Sequence, residues 1–406
     1  MPQDNEGYRT NYSAFGGHPI DTLTDERVGK TLEQFAITDA EQLIAAAAVP
    51  NIRGHLEEAL AGSGTELGDL VEKMQTQLGA QLTATYEAPT NGHHALGAME
   101  PTAEIEAEIA SIALVMPFGF DAVSLPASVN HALNMSPVRQ QGSRGTCVAH
   151  ALTAVHEHHR RMSGSPQDFS EQFLYHRIKQ VDGAPATCGT WQVKSVPVFT
   201  NVGQCRENVW AYNPQPPCNN NGVEPANAAA DAAQFKVQPI VLGPKDVPAI
   251  KSALAGGSCV GFSIAVYNSW YQSAYTTQTG RISMRLGTEP SVGGHAMCFI
   301  GYHDDASAPG GGFFILRNSW GAGWGSQCPY GAGNGTIPYA YIANEGWEAV
   351  TMPPPRRRLN PRDLLDWRRR WPFFTGEEGG DGDGQNGEGR TTIVIESDGT
   401  FDIVIK

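Results

Sequence analysis

One helical stretch followed by several short β-rich runs constrains the fold of this chain most strongly. Val148, Leu152 and Val155 fall on one face of the stretch from Cys147 to Met162, which predicts an amphipathic helix. The later runs "SCVGFSIAVY", "HAMCFIGYH" and "GGFFILRNSW" are rich in β-branched and aromatic residues and are separated by Gly-rich turns, so they predict strands. A domain that begins with helices and ends with a sheet belongs to the α+β class, and we expect a cleft between its two layers.

The residues before this domain predict a small helical module. Residues 1–30 are polar and aperiodic, which is typical of a flexible arm. Residues 31–82 hold three helical segments, and the first follows "TDAE" at Thr38–Glu41, which has the pattern of a capping box. Residues 83–124, which include "GHHALGAMEPTAE", are interpreted as a linker.

The residues after the main domain, which we place at 125–352, predict two further segments. Residues 353–390 join an Arg-rich piece to the acidic, Gly-rich tract "TGEEGGDGDGQNGEG", and we expect a surface strap and a linker there. Residues 391–406 contain two β-rich runs around Asp398–Gly399, a pattern typical of a type I′ hairpin. Because an isolated hairpin is only marginally stable in water, we expect it to dock on a sheet edge of this chain or of a partner.

The charge and hydropathy of the chain argue against several classes of partner. A formal net charge of −14 does not suit a general nucleic-acid binder, which needs a basic face. The N-terminus lacks the pattern of a secretory signal, and no stretch approaches the ~18 apolar residues of a membrane span, so we expect a cytoplasmic or non-classically exported protein. The seven cysteines leave at least one unpaired, and a disulfide among Cys188, Cys205 and Cys218 stays an open alternative.

A candidate nucleophile lies in "QQGSRGTCVAHAL", residues 140–152, where a loop leads into the predicted helix. Free backbone N–H groups and the helix dipole favour negative charge at a first helical turn, so Cys147 is placed where a thiolate is stabilised. Thr146 can supply a capping hydroxyl there. Gln141, six residues before the cysteine, can donate its side-chain amide to an oxyanion forming beside the sulfur.

Two later segments offer the base that such a nucleophile needs. "GGHAMCFIGYHDD" places His295 at the start of an apolar strand, and "FFILRNSWGAGWG" places Asn318 at the end of the next one. If these strands are antiparallel neighbours, Asn318 can fix the tautomer of His295, and Trp320 can shield their hydrogen bond from water. The three residue types predict acyl transfer through a cysteine nucleophile.

The chain resembles the papain-family cysteine peptidases, peptidase family C1, over residues 125–350. The blocks "QGSRGTCVAHA", "FSEQFLY", "VGQCRENVWAYNP", "GGHAMCFIGY" and "RNSWGAGWG" occur in the family's order. The resemblance implies a two-lobed fold with a helical left lobe and an antiparallel, barrel-like right lobe. The helical module at 31–82 resembles the small helix-hairpin-helix-type modules that are joined to bacterial enzymes.

The resemblance also implies roles for individual residues. It makes Gln141 the oxyanion glutamine, Cys147 the nucleophile, His295 the base and Asn318 the residue that orients it. The substrate-binding positions that it implies are the following: Gly189, Gly294 and Trp320. No cofactor and no metal are implied, and the partner is a protein or peptide substrate.

The sequence departs from the family pattern at several positions. Arg144 stands where the family usually has a cysteine that pairs near Cys188, so Cys188 needs another partner or is free. Gly294 replaces a residue that is often Asp or Asn in relatives. The charged-aromatic helix of the family's propeptides is not found in residues 1–124, so regulation of the cleft by these residues or by the tail stays open.

Three readings of the function follow. The leading one is a cysteine endopeptidase that works through a thiolate–imidazolium pair and an acyl-enzyme. The alternatives are an acyltransferase that passes the acyl group to an amine, and a catalytically silent binding protein with the same fold. "HEHHRR", residues 156–161, is not a zinc motif because Arg160 stands where H-E-x-x-H requires histidine, and we expect a solvated helix face.

Overall fold

The computed structural model describes residues 17–90, 94–113 and 125–354, together with the backbone of residues 391–395 and 401–405. The chain divides into two compact units, residues 1–354 and 355–406.

Short helices make up the first described stretch of the chain. They are α1 (Glu26–Glu33), α2 (Ala40–Ala48), α3 (Arg53–Leu60), α4 (Leu67–Leu78) and α5 (Ala80–Glu87), preceded by a 3-10 turn at Ile20–Thr22. The sequence predicted three helices here, and the structure has five between residues 26 and 87. One begins inside the predicted arm because the Asp25 side chain caps the N–H of Val28. Another is separated from its neighbour by Gly79, whose φ of 85° is unfavourable for other residues.

These helices share a core with the domain that follows, so they are not an independent bundle. Leu286, from the later domain, is fully buried in the same cluster as Leu32, Leu43 and Leu56. The side-chain hydrogen bond of the predicted capping box is not formed at the start of α2. Asp39 is the N-cap residue of α2, but its side chain does not cap the helix.

The carboxylate of Asp39 instead pairs with the buried guanidinium of Arg281, and it also accepts a hydrogen bond of 2.7 Å from the Tyr275 hydroxyl. The Thr38 hydroxyl binds the same guanidinium at 2.6 Å. These side chains at the start of the helix therefore join it to the main domain.

Residues 83–124 are not a plain linker. They include the end of α5, an extended segment at His94–Met99 that enters the cleft, and a further helix, α6 (Ala103–Ile112). The Thr102 side chain caps α6, and the helix buries Ile105 and Ile109. Residues 114–124 lie outside the described part of the chain.

The main domain has eight helices among the described residues, and the first of them carries Cys147. They are α7 (Cys147–Met162), α8 (Glu171–Lys179), α9 (Val196–Asn201), α10 (Ala228–Ala232), α11 (Val247–Ala255), α12 (Asn268–Tyr271), α13 (Ala274–Thr279) and α14 (Tyr339–Glu345). The prediction of a solvated face for residues 156–161 is wrong for half of that motif: His156, Glu157 and His158 are at most 3% exposed, because α7 is enclosed by the helices and the sheet around it.

Within residues 125–354 the strands form an antiparallel sheet. They are β1 (Ser128–Asn130), β2 (Ile240–Leu242), β3 (Val260–Tyr267), β4 (Ser291–Asp304), β5 (Gly312–Arg317), β6 (Asn334–Pro338) and β7 (Gly346–Thr351). Their order is β2-β7-β3-β4-β5-β6, and β1 pairs with the far end of β4.

Successive side chains of β4 point to opposite faces of the sheet, so this strand contributes to the apolar core on both sides. Ala296, Cys298 and Ile300 belong to the apolar cluster that includes the α7 helix, whereas Met297 and Phe299 belong to the cluster on the other face of the sheet. The cleft therefore opens where the first turn of α7 meets the start of β4. In the second unit, β8 (Thr391–Ile395) pairs antiparallel with β9 (Phe401–Ile405), and the predicted turn at 398–399 lies outside the described residues.

Candidate active site

The loop before α7 and the end of β5 meet at one antiparallel bridge. Gln140 pairs with Trp320, and the Gln141 N–H donates to the Ser319 carbonyl at 2.9 Å. The pairing brings the predicted oxyanion residue beside the predicted histidine–asparagine pair, although 180 residues separate Gln140 from Trp320 in sequence.

Cys147 is the first residue of α7 and is fully buried. Its sulfur has backbone N–H neighbours at Val148, Ala296 and Gly97, as well as its own. The preceding Thr146 is the N-cap, but its hydroxyl does not cap the helix as expected and instead meets the Tyr212 hydroxyl at 2.6 Å. The first-turn N–H groups are thus left for charge on the sulfur.

His295, Asn318 and Trp320 come together as the sequence predicted. His295 Nε2 and Asn318 Oδ1 are 2.8 Å apart, so Nε2 carries the proton and Nδ1 is left as the basic nitrogen. Nδ1 is buried without a hydrogen-bond partner. Trp320 is 2% exposed and stacks on the imidazole at 4.4 Å between ring centroids, which keeps water from the His295–Asn318 hydrogen bond.

Gln141 is held rigidly with its amide directed into the cleft. Its Oε1 accepts from the Ser319 hydroxyl at 2.6 Å, and its Nε2 donates to the Arg144 carbonyl at 2.9 Å. The Tyr212 hydroxyl donates to its backbone carbonyl at 2.8 Å. Sequence reasoning missed Ser319 and Tyr212, although Ser319 lies in the same "RNSWG" block as Asn318.

Residues His94–Met99, which we call the cleft segment, cover this site. The Gly97 and Ala98 N–H groups both donate to the Gly294 carbonyl at 3.1 Å. On the other wall the Thr190 N–H donates to the Gly97 carbonyl at 3.0 Å, and the Met99 N–H donates to the Thr190 carbonyl at 3.0 Å. The segment is therefore held as a short extra strand between the two walls of the cleft.

Two further contacts place the cleft segment directly over the predicted catalytic groups. The second amide hydrogen of Gln141 Nε2 is donated to the Ala95 carbonyl at 3.0 Å. The His94 imidazole stacks on Trp320 at 4.4 Å between ring centroids, with 7° between the planes. The chain's own residues therefore contact both Gln141, the predicted oxyanion donor, and Trp320.

The cleft segment occupies both of the groups that a substrate carbonyl would need. Gln141 Nε2 donates to the carbonyl of the Ala95–Leu96 peptide, and the Gly97 N–H lies beside the Cys147 sulfur. Attack requires a carbonyl carbon and its oxygen to meet the sulfur and the predicted oxyanion donor together. A substrate peptide must therefore replace the cleft segment.

Burial sets the protonation of the covered pair. Desolvation raises the pKa of Cys147 to about 11, against the favourable effect of the backbone N–H groups around it. Desolvation likewise lowers the pKa of His295 to about 3, although the Asn318 hydrogen bond acts in the opposite direction. At neutral pH the covered site therefore holds a thiol and a neutral imidazole, and the charged pair needs an uncovered cleft.

The two predicted glycines line opposite walls of the cleft. At Gly189 a Cβ would come within 2.7 Å of Met99 Cγ, and the Gly189 carbonyl accepts from Lys179 Nζ at 2.9 Å. At Gly294 a Cβ would lie 2.1 Å from a ring carbon of Trp347. This contact explains why glycine stands at a position where the family often has a longer side chain.

Arg144 takes over the bracing that a disulfide would provide at its position. Its guanidinium is fully buried and donates to neutral acceptors: the Cys218 carbonyl at 2.9 Å, the Asn213 carbonyl at 2.6 Å and the Asn221 side chain at 2.7 Å. The sequence left Cys188 either free or with another partner, and in the structure it forms a disulfide with Cys218. Arg144 thus fixes the loop before α7, which contains Gln141, to the loop at 213–221.

The described residues contain no group of three or more His, Cys, Asp or Glu side chains arranged for a metal ion. Within the same ranges, no helix has the length and apolar character that a membrane crossing needs.

The sequence profile described as papain family cysteine protease matches residues 125–333, which is just over half of the chain. The chain is 27% identical over 218 residues to an uncharacterized peptidase C1-like protein of Acanthamoeba polyphaga mimivirus, covering 50% of this chain and 65% of that protein. It is 26% identical over 221 residues to the oryzain gamma chain of Oryza sativa subsp. japonica, covering 51% and 55%. The alignments thus leave a third or more of each relative unmatched.

Solved structures show the same fold. The crystal structure of xylellain, a cysteine protease from Xylella fastidiosa, superposes with a TM-score of 0.54 at 24% identity and covers 65% of this chain and 98% of xylellain. A procathepsin B from Trypanosoma congolense superposes with a TM-score of 0.50 at 15% identity, covering 69% and 96%. The predicted α+β, two-lobed fold is confirmed.

Proposed function

Because the chain belongs to the papain family of cysteine proteases, we propose that it is a cysteine endopeptidase whose cleft is covered by its own residues. One observation carries the proposal: Gln141, Cys147, His295 and Asn318 converge beneath a segment that lies in the cleft as a peptide would and takes up the side-chain amide of Gln141. The substrate is a protein or peptide that replaces the cleft segment.

In the uncovered enzyme, water returns to the cleft and the charged pair of Cys147 and His295 forms. The Cys147 thiolate adds to the substrate carbonyl carbon, and the oxyanion accepts hydrogen bonds from Gln141 Nε2 and the Cys147 N–H. His295 Nδ1, which took the thiol proton, gives it to the leaving amine as the carbon–nitrogen bond breaks. A thioester acyl-enzyme remains.

Deacylation uses the same groups in reverse. His295 removes a proton from water, the water oxygen adds to the thioester carbonyl, and the Cys147 thiolate leaves. Asn318 keeps the imidazole proton on Nε2 throughout, so Nδ1 stays the basic nitrogen. Trp320 keeps competing water away from that hydrogen bond.

Regulation by the N-terminal residues is part of the proposal. The cleft segment is tethered on one side by the helices around Asp39 and on the other by α6, whose Glu108 pairs with Lys194 at 2.6 Å. The Trp191 indole N–H also donates to the Glu100 carbonyl at 3.1 Å. These ion pairs and hydrogen bonds hold the segment in the cleft.

The function is tested on the full chain with peptide hydrolysis and with iodoacetamide labelling at Cys147 read by mass spectrometry. After displacement of the cleft segment, hydrolysis and rapid labelling are expected, and Cys147→Ala abolishes both. Cys328→Ala is the matched control, because that buried free thiol lies outside the site. Unchanged turnover in Cys147→Ala would overturn the assignment. An added amine nucleophile that captures the acyl group in preference to water would instead show a transferase.

A further inference from the structure

The hydroxyl group of Tyr212 joins the two ends of the loop that leads to Cys147. It donates to the Gln141 carbonyl at 2.8 Å and lies 2.6 Å from the Thr146 hydroxyl. Because a tyrosine has one hydroxyl proton and gives it to Gln141, the Thr146 hydroxyl is the donor in the second hydrogen bond. One oxygen atom therefore ties the residue with the predicted oxyanion donor to the residue before the nucleophile.

The Tyr212 ring is itself held on several sides. The Arg144 guanidinium carbon lies over the ring at 5.4 Å from its centroid. The His150 imidazole meets it edge-on, with 4.6 Å between the centroids and 90° between the planes. The backbone N–H of Tyr212 donates to Glu207 Oε1 at 2.9 Å. The hydroxyl group therefore has little freedom to move and can fix the position of the loop.

Burial keeps this hydroxyl group protonated. Desolvation raises the pKa of Tyr212 to about 12, although the Thr146 hydrogen bond and the Arg144 charge act in the opposite direction. Negative charge on Cys147 raises the pKa of Tyr212 further. The tyrosine therefore remains a donor to Gln141 at neutral pH when the thiol ionises.

The Tyr212 hydroxyl acts on the backbone of Gln141. The two side-chain hydrogen bonds of Gln141 orient its amide. The tyrosine instead relates the Gln141 backbone, through Thr146, to the start of α7. The distance between the amide nitrogen and the Cys147 sulfur thus depends on Tyr212, and misplacement by about 1 Å can cost roughly 100-fold in rate.

We propose that Tyr212 is a positioning residue for oxyanion stabilisation, because its hydroxyl holds Gln141 at a fixed place relative to the start of α7. Tyr212 acts through Gln141 and not on the reacting atoms. This inference rests on the proposed function for the roles of Cys147 and Gln141, but it does not depend on whether water or an amine takes the acyl group.

The first experiment compares two reactions of Cys147 in full-length protein that carries Gly97→Ala, which sets a methyl group against the Gly145 backbone and displaces the cleft segment. With an N-acetyl-tripeptide aldehyde, the sulfur bonds to the carbonyl carbon, and the thiol proton passes to the oxygen that the oxyanion donors bind. Iodoacetamide alkylates the same sulfur with loss of iodide, and no oxyanion develops. The two probes therefore separate the oxyanion donor from the nucleophile.

Tyr212→Phe is expected to weaken aldehyde binding roughly 2- to 13-fold, the effect of one hydrogen bond, and to leave the rate of iodoacetamide labelling unchanged. Tyr302→Phe is the matched control, because its hydroxyl also donates to a backbone carbonyl, that of Pro126 at 2.7 Å. Thr146→Val should also weaken aldehyde binding, and Thr146→Ser should restore it. Unchanged aldehyde affinity in Tyr212→Phe, or an equal loss with both probes, would overturn the proposal.

A double-mutant cycle tests whether Tyr212 acts through Gln141. Gln141→Ala alone should weaken aldehyde binding roughly 100-fold, the effect of one oxyanion donor. In that background Tyr212→Phe should cause no further loss, because the amide that it positions is gone. Losses that multiply would show that Tyr212 acts by another route.

Peptide hydrolysis by the same variants separates this inference from the proposed function. In a peptidase, Tyr212→Phe should lower kcat by the factor seen with the aldehyde and leave KM unchanged. A protein that binds the aldehyde but hydrolyses no peptide would contradict the peptidase function, and the aldehyde affinities would still decide the role of Tyr212. A protein that reacts with iodoacetamide but binds no aldehyde would overturn the inference, because it would have no oxyanion donor to position.

Discussion

Gly97→Ala is the change that tests the covered cleft most directly. The added methyl group would lie 2.1 Å from the Gly145 carbonyl oxygen, 2.3 Å from its carbon and 2.7 Å from its Cα. All three are backbone atoms in the loop that leads to Cys147, so they cannot swing aside as a flexible side chain would. The cleft segment must move instead, and its hydrogen bonds to Gly294 and Thr190 lengthen or break.

The size of the effect follows from the contacts that are lost. Overpacking by one methyl group costs about 1–3 kcal/mol, and that cost falls on the covered state alone. Since ~1.4 kcal/mol is a factor of ten, the population of uncovered protein should rise by roughly 5- to 150-fold. The net contribution of each hydrogen bond that breaks, ~0.5–1.5 kcal/mol, would place the result toward the upper end.

The assay is the rate of Cys147 labelling by iodoacetamide, with peptide hydrolysis measured in parallel. Gly54→Ala is the matched control, because no atom lies within 4 Å of a Cβ at that helical position. Labelling that is equally slow in Gly97→Ala, Gly54→Ala and the parent protein, with all three folded, would refute the idea that this close approach holds the cleft closed.

Three other perturbations address the supports of the site. Burial lowers the pKa of His94 below its usual 6.5 in the covered state, so protonation of His94 weakens that state as the pH falls. The rate of Cys147 labelling, corrected for ionisation of the thiol, should therefore rise on acidification more in the parent protein than in His94→Phe. Arg144→Met should lower the free energy of unfolding in urea by at least ~3 kcal/mol, because several buried acceptors lose their donor. Arg144→Lys should recover only part of that free energy. A loss below ~1 kcal/mol in Arg144→Met would contradict the bracing role. Asp39→Asn removes the carboxylate that pairs with the 1%-exposed Arg281 and should cost about 3–5 kcal/mol by the same measurement, whereas an unchanged midpoint would show that the pair contributes nothing.

Most of the candidate site could be predicted from the sequence, because each of its residues has a local sequence signal. Cys147 stands at a helix start, and His295 and Asn318 stand at strand ends, so spacing and residue type are sufficient to place them. The resemblance adds the order of the blocks. The strands also follow from composition, since alternating and β-branched runs indicate a sheet without knowledge of its partners.

The sequence did not predict that the cleft segment covers the site. "ALGAM", residues 95–99, has the composition of a linker, and its extended form comes from hydrogen bonds to Gly294 and Thr190 that are distant in sequence. The uncapped start of α2 was equally hidden, because Asp39 pairs with an arginine more than 240 residues later. Local propensity gives way to tertiary contacts at both places.

The burial of Leu286 among the N-terminal helices has a consequence for what proteolysis can achieve. If the chain were cut between α6 and β1, the two pieces would still share that core and the Asp39–Arg281 ion pair, so they would remain together as a two-chain particle. The amino-terminal piece would then behave as a subunit, and its occupancy of the cleft would depend on dilution and mass action. Release would be reversible, and a peptidase of this design could be silenced again by supplying that piece in solution.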